Sequence, residues 1–206
     1  MVRIIKGALS DAQCDELIEH FDTNKSEESR YVSEASKGKQ KFDKDTKIAK
    51  SRVLDLPIES KYNEITWDLA KIFCKDYKLD ISGQTGLRMF KYDEGGHFVW
   101  HTDAQNGLDI DQITMTIQLS KPEDYDGGNF VFGSLNGNAH LIDYADMEWG
   151  SERLEKEIEI THTLTKERGT VCIYDSKNWH KVTPVTRGCR YGMINWFSDK
   201  GGFLNL

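Results

Sequence analysis

Apolar residues in the first third of the chain recur every three or four positions, a pattern that predicts two amphipathic helices. In the first helix they are Cys14, Leu17, Ile18 and Phe21. In the second helix, which follows Pro57, they are Tyr62, Ile65, Leu69, Ile72 and Phe73. Ser10 and Gln13 open the first helix at the spacing of a capping box. Both apolar stripes are typical of helices that pack against a core.

The segment 22–50 between these helices shows no periodicity. It reads DTNKSEESRYVSEASKGKQKFDKDTKIAK, which is polar and highly charged. Such a composition buries too little apolar surface to order a chain segment by itself. A loop of this length in a compact domain is often a lid or a disordered segment. We therefore predict a mobile loop at 22–50.

From Leu87 onward the pattern changes to short apolar or alternating segments separated by glycine-rich turns, which predicts a series of strands. The segments are LRMFKY (87–92), HFVWHTD (97–103), ITMTIQLS (113–120), YDGGNFVFG (125–133), EIEITHTLT (157–165), GTVCIYD (169–175), WHKVTPV (179–185) and RYGMINWF (190–197). Many short strands indicate a sandwich or barrel, with the helices packed on one sheet. The acidic segment 134–168 is interpreted as an insertion within a single domain spanning 1–206.

Composition and charge narrow the choice of partners. The net charge is -7 and the pI is near 5.4, which argues against nucleic acid as a partner because a phosphate backbone requires a basic surface. No apolar run reaches the ~18 residues of a membrane span, and the N-terminus lacks the pattern of a signal peptide. The four cysteines are scattered without a C-x-x-C motif, as in a reducing compartment. We therefore expect a cytoplasmic protein.

Candidate metal ligands occur in YDEGGHFVWHTDA, which runs from Tyr92 to Ala104. Side chains on a strand alternate between its two faces. The alternation predicts that His97, Val99, His101 and Asp103 share one face, while Phe98, Trp100 and Thr102 share the other. An imidazole and a carboxylate side by side on a strand supply half of a metal site, and a further ligand must come from elsewhere in the chain.

His180 is the best candidate for that ligand. It opens a strand that follows an apolar one, so it is expected to face the interior, whereas the other remaining histidines are interpreted as surface residues: His20, His140 and His162. Arg190 follows ten residues later, after a turn, and two antiparallel strands joined there bring both residues into one pocket. Because a buried Arg needs an anionic partner, Arg190 implies a ligand with a carboxylate.

Three segments together resemble the iron(II)- and 2-oxoglutarate-dependent oxygenases, in particular their prolyl 4-hydroxylase-like branch. The segments are YDEGGHFVWHTD, ITMTIQLSKPEDYDGGNFVF and RGTVCIYDSKNWHKVTPVTRGCRYGMINWF. The resemblance extends over about residues 84–197. It implies a double-stranded β-helix, a jelly-roll barrel that holds the metal inside.

The resemblance also implies roles for individual residues. His101, Asp103 and His180 are expected to hold Fe(II), with 2-oxoglutarate and O₂ as cosubstrates. Arg190 is expected to pair with the far carboxylate of 2-oxoglutarate, and Tyr92 to hydrogen-bond it. The reaction releases succinate and CO₂ and hydroxylates a C–H bond, with ascorbate as an optional reductant.

The sequence leaves alternative roles for four further residues. Thr114 and Gln118 are interpreted either as contacts of the cosubstrate or as structural residues that line the barrel. His97 is expected to support the metal ligands or to contact the substrate, rather than to be a fourth ligand. The same two roles are considered for Trp196 near the end of the last strand.

The substrate expected from the resemblance is a peptidyl proline, so that the partner is a peptide or protein and neither nucleic acid nor a membrane. Two alternatives remain. The first is hydroxylation of a free amino acid or of another protein side chain. The second is a metal-binding jelly-roll module without turnover. The oligomeric state is left open.

Overall fold

The computed structural model describes residues 1–30, 44–55, 57–104, 112–136 and 149–199. Its helices are α1 (Asp11–Thr23), α2 (Ile58–Tyr77) and α3 (Glu152–Glu157). Its strands are β1 (Val2–Ile5), β2 (Glu27–Glu28), β3 (Lys47–Ile48), β4 (Lys50–Val53), β5 (Gly83–Gln84), β6 (Arg88–Tyr92), β7 (His97–His101), β8 (Gln112–Gln118), β9 (Tyr125–Gly127), β10 (Phe130–Leu135), β11 (Ile158–Thr163), β12 (Val171–Asp175), β13 (Trp179–Val182), β14 (Val185–Gly188) and β15 (Arg190–Ser198).

Two antiparallel sheets form the barrel. The larger sheet has the strand order β1-β12-β8-β15-β6-β4-β2, and β5 also pairs with β15. The smaller sheet has the order β11-β10-β13-β7-β3, and β9 pairs with β14 beside it. A mostly aromatic cluster joins the inner faces of the two sheets, with Phe90 and Tyr174 from the larger sheet and Phe98 and Phe132 from the smaller one. The predicted jelly-roll barrel is confirmed.

The two long helices pack on the outer face of the larger sheet, as predicted. Met115 and Ile117 of β8 belong to the same buried cluster as Leu17 of α1 and Phe73 of α2. The intervening residues Thr114, Thr116 and Gln118 are buried on the opposite, inner face, as alternation along a strand requires. Helix α1 begins with the predicted capping box. The outer face is therefore the main hydrophobic core, and the inner face carries polar groups.

The predicted alternation along β7 is wrong at His97 and Phe98, because Phe98 and not His97 shares the face of His101. His101 pairs with His180 and Phe98 with Val182, so three steps on β7 match two steps on β13. This β-bulge brings Phe98 onto the face of His101, and their rings stack with centroids 3.5 Å apart. Trp100 points to the other side, into a cluster under α3.

The segment 22–50 contains more regular structure than expected, whereas the strand predicted within 134–168 is confirmed as β11. Within 22–50 lie the end of α1, β2, β3 and the first residue of β4, while 31–43 fall outside the described residues. Within 134–168 lie the end of β10, α3 and the edge strand β11, and 137–148 fall outside the described residues. The mobility of 22–50 and the single-domain assignment stay predictions. Among the described residues, no helix has the length and apolar character needed to cross a bilayer.

Candidate metal centre and cosubstrate pocket

Three predicted ligands converge between β7 and β13. His101 ends β7 and His180 lies directly opposite it on β13, while Asp103 follows β7 and its N–H donates to Ser176 O at 2.9 Å. The Asp103 carboxylate lies 3.4 Å from His180 Nε2 and 3.8 Å from His101 Nε2. The possible ligand atoms of the three residues all lie within 4.8 Å of one another. The spacing is that of side chains arranged around one small ion.

Backbone carbonyls orient both imidazoles. His101 Nδ1 lies 2.7 Å from Val99 O, and His180 Nδ1 lies 2.9 Å from Asn178 O. A carbonyl only accepts hydrogen bonds, so each Nδ1 carries a hydrogen and Nε2 is the ring nitrogen left for a ligand. Both Nε2 atoms are directed towards Asp103, the orientation that is usual for histidines that bind metals.

The protonation states suit a divalent cation. Burial, followed by the neighbouring His180, lowers the pKa of His101 well below its usual value, so the ring is neutral. Burial opposes ionisation of Asp103, but His180, His101 and a hydrogen bond from Thr114 outweigh it and hold the pKa of the carboxyl below its usual range. Two histidines and one carboxylate on one side of a cavity are the donor set of non-haem Fe(II) sites with open coordination positions. The residues present fit Fe(II).

Tyr174 was missed by the sequence analysis, which interpreted GTVCIYD only as an apolar strand. Its hydroxyl donates to Asp103 Oδ2 at 3.1 Å and lies 3.3 Å from His180 Nε2. Burial, and then Asp103, raises the pKa of Tyr174 well above its usual value, so the phenol stays protonated. Thr114 lies beside it and bonds both Asp103 and Ser176. Both hydroxyls therefore orient the carboxylate.

We expect Tyr174→Phe to weaken Mn(II) binding by about 10- to 100-fold, the range for groups that orient metal ligands. The change removes one hydroxyl and keeps the ring, so the barrel should fold. Tyr191→Phe is the matched control, because Tyr191 bonds Asp22 on the helix-packed side. Calorimetric titration with Mn(II) measures the effect, and equal affinities for Tyr174→Phe and wild type would contradict it.

A second polar cluster surrounds Arg190, which is 3% exposed. Its guanidinium carbon lies 5.5 Å from the centre of the Tyr92 ring, and it hydrogen-bonds the Tyr125 hydroxyl. Gln118 Nε2 donates to the same hydroxyl at 3.1 Å. Burial raises the pKa of Tyr92 to about 12 despite the opposing effect of Arg190, so this phenol also stays protonated. The cluster offers several hydrogen-bond donors.

Arg190 forms no ion pair with any carboxylate in the described ranges of the chain. A buried guanidinium without an anion is costly. Side chains on β15 alternate between its two faces, and Tyr191, Met193 and Phe197 pack towards the helices. Arg190, Ile194 and Trp196 therefore share the inner face. The pocket is thus suited to the carboxylate of a small ligand.

The remaining two candidates, His97 and Trp196, form no hydrogen bond with His101, Asp103 or His180 among the described residues. His97 precedes Phe98 on β7, and its ring nitrogens lie 2.9 Å from Gly95 O and 3.3 Å from Asp45 O. These backbone contacts give His97 a structural role, and a contact with substrate stays a prediction. Trp196 pairs in register with Thr114 and is half-buried, so its ring lies on the inner face near the level of the metal ligands.

Comparison with curated proteins finds PKHD-type hydroxylases among the relatives. The protein from Synechococcus sp. (strain JA-2-3B'a(2-13)) is 32% identical over 110 residues, which are 51% of this chain and 39% of that protein. The protein from Shewanella frigidimarina (strain NCIMB 400) is 29% identical over 116 residues, which are 53% of this chain and 41% of that protein. The chain thus spans about two fifths of the length of these relatives.

Comparison with solved structures shows the same fold in prolyl hydroxylases. A Pseudomonas putida prolyl-4-hydroxylase matches with a TM-score of 0.68 and 14% identity, covering 97% of this chain and 93% of that one. A Trichoplax adhaerens prolyl hydroxylase, in complex with a peptide fragment of the hypoxia inducible factor oxygen degradation domain, matches with a TM-score of 0.69 and 16% identity. That match covers 97% of this chain and 84% of the other.

The family model described as the 2OG-Fe(II) oxygenase superfamily matches residues 87–198. This range is more than half of the chain and runs from β6 through β15, so it contains both the candidate metal ligands and Arg190. The barrel, the His-Asp-His cluster and the sequence match agree, and the chain belongs to the 2OG-Fe(II) oxygenase superfamily.

Proposed function

We propose that the protein is an Fe(II)- and 2-oxoglutarate-dependent dioxygenase that hydroxylates a C–H bond, with peptidyl proline as the first candidate substrate. One observation carries the proposal. A buried cluster of His101, Asp103 and His180 shares the inside of a barrel with Arg190, a buried cation that has no carboxylate partner among the described residues. One site accepts a divalent metal ion, and the other accepts a carboxylate.

In this proposal His101, Asp103 and His180 hold the iron, and the bound iron supplies the oxygen chemistry. Arg190 pairs with the far carboxylate of 2-oxoglutarate, because its guanidinium matches a carboxylate with two N–H donors. Tyr125 and Gln118 hold Arg190 in place through the shared hydroxyl contact. The barrel wall excludes water from the reacting groups.

The overall reaction balances as follows. One atom of O₂ enters succinate as 2-oxoglutarate loses CO₂, and the other atom enters the substrate as a hydroxyl group. Ascorbate, as a reductant, and a cytoplasmic location belong to this proposal as well. A peptide substrate is supported by the peptide in the Trichoplax adhaerens complex and by the hydroxylase names of the relatives.

The proposal is tested by succinate release from the Fe(II)-loaded protein with 2-oxoglutarate, ascorbate and a library of proline-containing peptides. We expect release to rise with some peptides, which gain one oxygen atom by mass spectrometry. A parallel set of free amino acids tests the small-molecule alternative. Binding of Fe(II) and 2-oxoglutarate without turnover of any compound would instead favour a module that binds metal and lacks activity.

A further inference from the structure

Lys47 is a buried cation inside the barrel. It lies on β3 opposite Phe98 of β7 and is 4% exposed. Its Nζ lies 4.1 Å from the centre of the Phe90 ring and 4.3 Å from that of Phe98. Because Phe98 stacks directly on His101, the ammonium group is separated from the metal ligands by one aromatic ring.

Three other lysines that pack on aromatic rings, Lys61, Lys91 and Lys181, also have an anionic partner. Two more, Lys71 and Lys166, form no ion pair among the described residues, but neither of them is buried. Lys181 lies 4.6 Å from the centre of the Trp100 ring and 2.9 Å from Glu155 Oε2. Lys47 forms no ion pair in the described part of the chain. Aromatic faces compensate only part of the cost of burying a cation, so Lys47 lacks the counter-ion that Lys181 has.

A second unpaired cation acts on Lys47. Arg88 begins β6, where alternation places it on the inner face with Phe90 while Met89 packs towards the helices. Arg88 is half-buried and likewise forms no ion pair among the described residues. Burial, followed by Arg88, lowers the pKa of Lys47 to about 7, whereas Asp103 raises it. Lys47 contacts the Phe90 ring, and Arg88 lies two residues before Phe90 on the same face of β6, so both cations lie on the same part of the inner wall.

The charges of Fe(II) and 2-oxoglutarate provide no counter-ion for Lys47 and Arg88. The two positive charges of Fe(II) and the one of Arg190 balance Asp103 and the two carboxylates of 2-oxoglutarate. Asp103, the one carboxylate among the described residues that favours the charged form of Lys47, is then engaged with the metal. Arg88 and the protonated form of Lys47 then remain without a counter-ion on the inner wall of the barrel, where a bound carboxylate would favour the charged form of Lys47.

We propose that Lys47 and Arg88 bind a carboxylate of the molecule that is hydroxylated, so that the substrate is an acidic peptide or a free amino acid. This inference rests on the proposed function. A substrate carboxylate supplies the missing counter-ion, and the Phe90 and Phe98 rings hold the lysine in position to receive it.

The test uses the full chain loaded with Mn(II), which binds oxygen and nitrogen ligands like Fe(II), in the presence of 2-oxoglutarate. In one arm, the loaded protein is mixed with a peptide library, and the peptides that it retains are identified. The peptides have acetylated and amidated ends, so that only Asp and Glu carry carboxylates. The other arm measures binding of free amino acids against their amides by nuclear magnetic resonance. Together the arms distinguish a side-chain carboxylate from an α-carboxylate.

We expect wild type to prefer the carboxylate ligand in one arm by about tenfold, the effect of one charge-assisted hydrogen bond. Lys47→Met and Arg88→Met should each lose that preference. Lys181→Met is the matched control and should keep it, because Lys181 packs on Trp100 outside the barrel interior. Lys47→Met should also keep or raise the melting temperature, since it replaces an unpaired buried charge by an apolar chain of similar length.

Three outcomes would overturn the inference. They are binding without a carboxylate preference, a preference that survives in both variants, and no retained ligand although 2-oxoglutarate binds. Failure of the Mn(II)-loaded wild type to bind 2-oxoglutarate is a separate result, which overturns the proposed function and this inference with it. The binding of 2-oxoglutarate is therefore measured first.

Discussion

Asp103→Ala is expected to abolish turnover of 2-oxoglutarate while leaving the fold intact. Among the described residues, Asp103 is the one carboxylate in the cluster with His101 and His180, and without it a divalent cation there has two imidazole ligands. The loss should exceed the ~10- to 100-fold that removal of a supporting group costs. Succinate release under saturating Fe(II) measures the effect.

A matched control separates loss of the metal from loss of the fold. Asp126 accepts a hydrogen bond from Arg187 at the surface, and an exposed pair of this kind contributes little to stability because solvent screens it. Asp126→Ala should therefore keep wild-type turnover, and circular dichroism of Asp103→Ala should match that of wild type. Turnover by a folded Asp103→Ala variant at the wild-type rate would remove Asp103 from the metal site.

Arg190→Ala is expected to raise the dissociation constant of 2-oxoglutarate at least tenfold. A charge-assisted pair contributes about 1.5–3 kcal/mol, and ~1.4 kcal/mol corresponds to a factor of ten. The affinity for Mn(II) should not change, because Arg190 contacts Tyr92 and Tyr125 and no metal ligand. Titration of 2-oxoglutarate into the Mn(II)-loaded protein measures the change.

Arg187 provides the control for Arg190, three residues away on β14. It is exposed and bonds Asp126 and Glu123 O, so Arg187→Ala should bind 2-oxoglutarate as wild type does. Equal dissociation constants for Arg190→Ala and wild type would place the cosubstrate elsewhere. Weaker binding of both Mn(II) and 2-oxoglutarate would indicate damage to the barrel rather than loss of one contact.

The sequence predicted that His101, Asp103 and His180 come together, and it predicted the inner face of β8, because both follow simple rules. Strand β8 pairs with β12 and β15 without a shift in register, so alternation holds along its whole length. His101 and His180 lie opposite each other because their strands are neighbours in the smaller sheet. Spacing along the chain suggested the ligands, and strand pairing brings them together.

Alternation failed on β7 because a β-bulge has no mark in the composition of HFVWH. The extra residue reverses the face of Phe98 and places its ring on His101. The β-bulge is visible only in the pairing of β7 with β13. His97 consequently lies on the face away from Phe98, where backbone carbonyls bind its ring.

Two residues near the candidate metal ligands were not predicted, each for its own physical reason. Tyr174 lies in an apolar strand where an aromatic residue is typical of a core, and only tertiary structure reveals its bond to Asp103. Lys47 lies in the polar segment 22–50, and a strand of two residues is too short to show a periodicity. Its burial depends on pairing with β7, which is distant in sequence.

The central claim is that His101, Asp103 and His180 bind one Fe(II). 2-Oxoglutarate then binds at the same site, with its far carboxylate paired to Arg190. Anaerobic calorimetric titration of the wild-type chain with Fe(II), followed by 2-oxoglutarate, tests it most directly. The account predicts one Fe(II) per chain, binding of 2-oxoglutarate that is strengthened by the metal, and loss of the Fe(II) site in His180→Ala. Absence of a one-to-one Fe(II) site in wild type, or an unchanged site in His180→Ala, would contradict it.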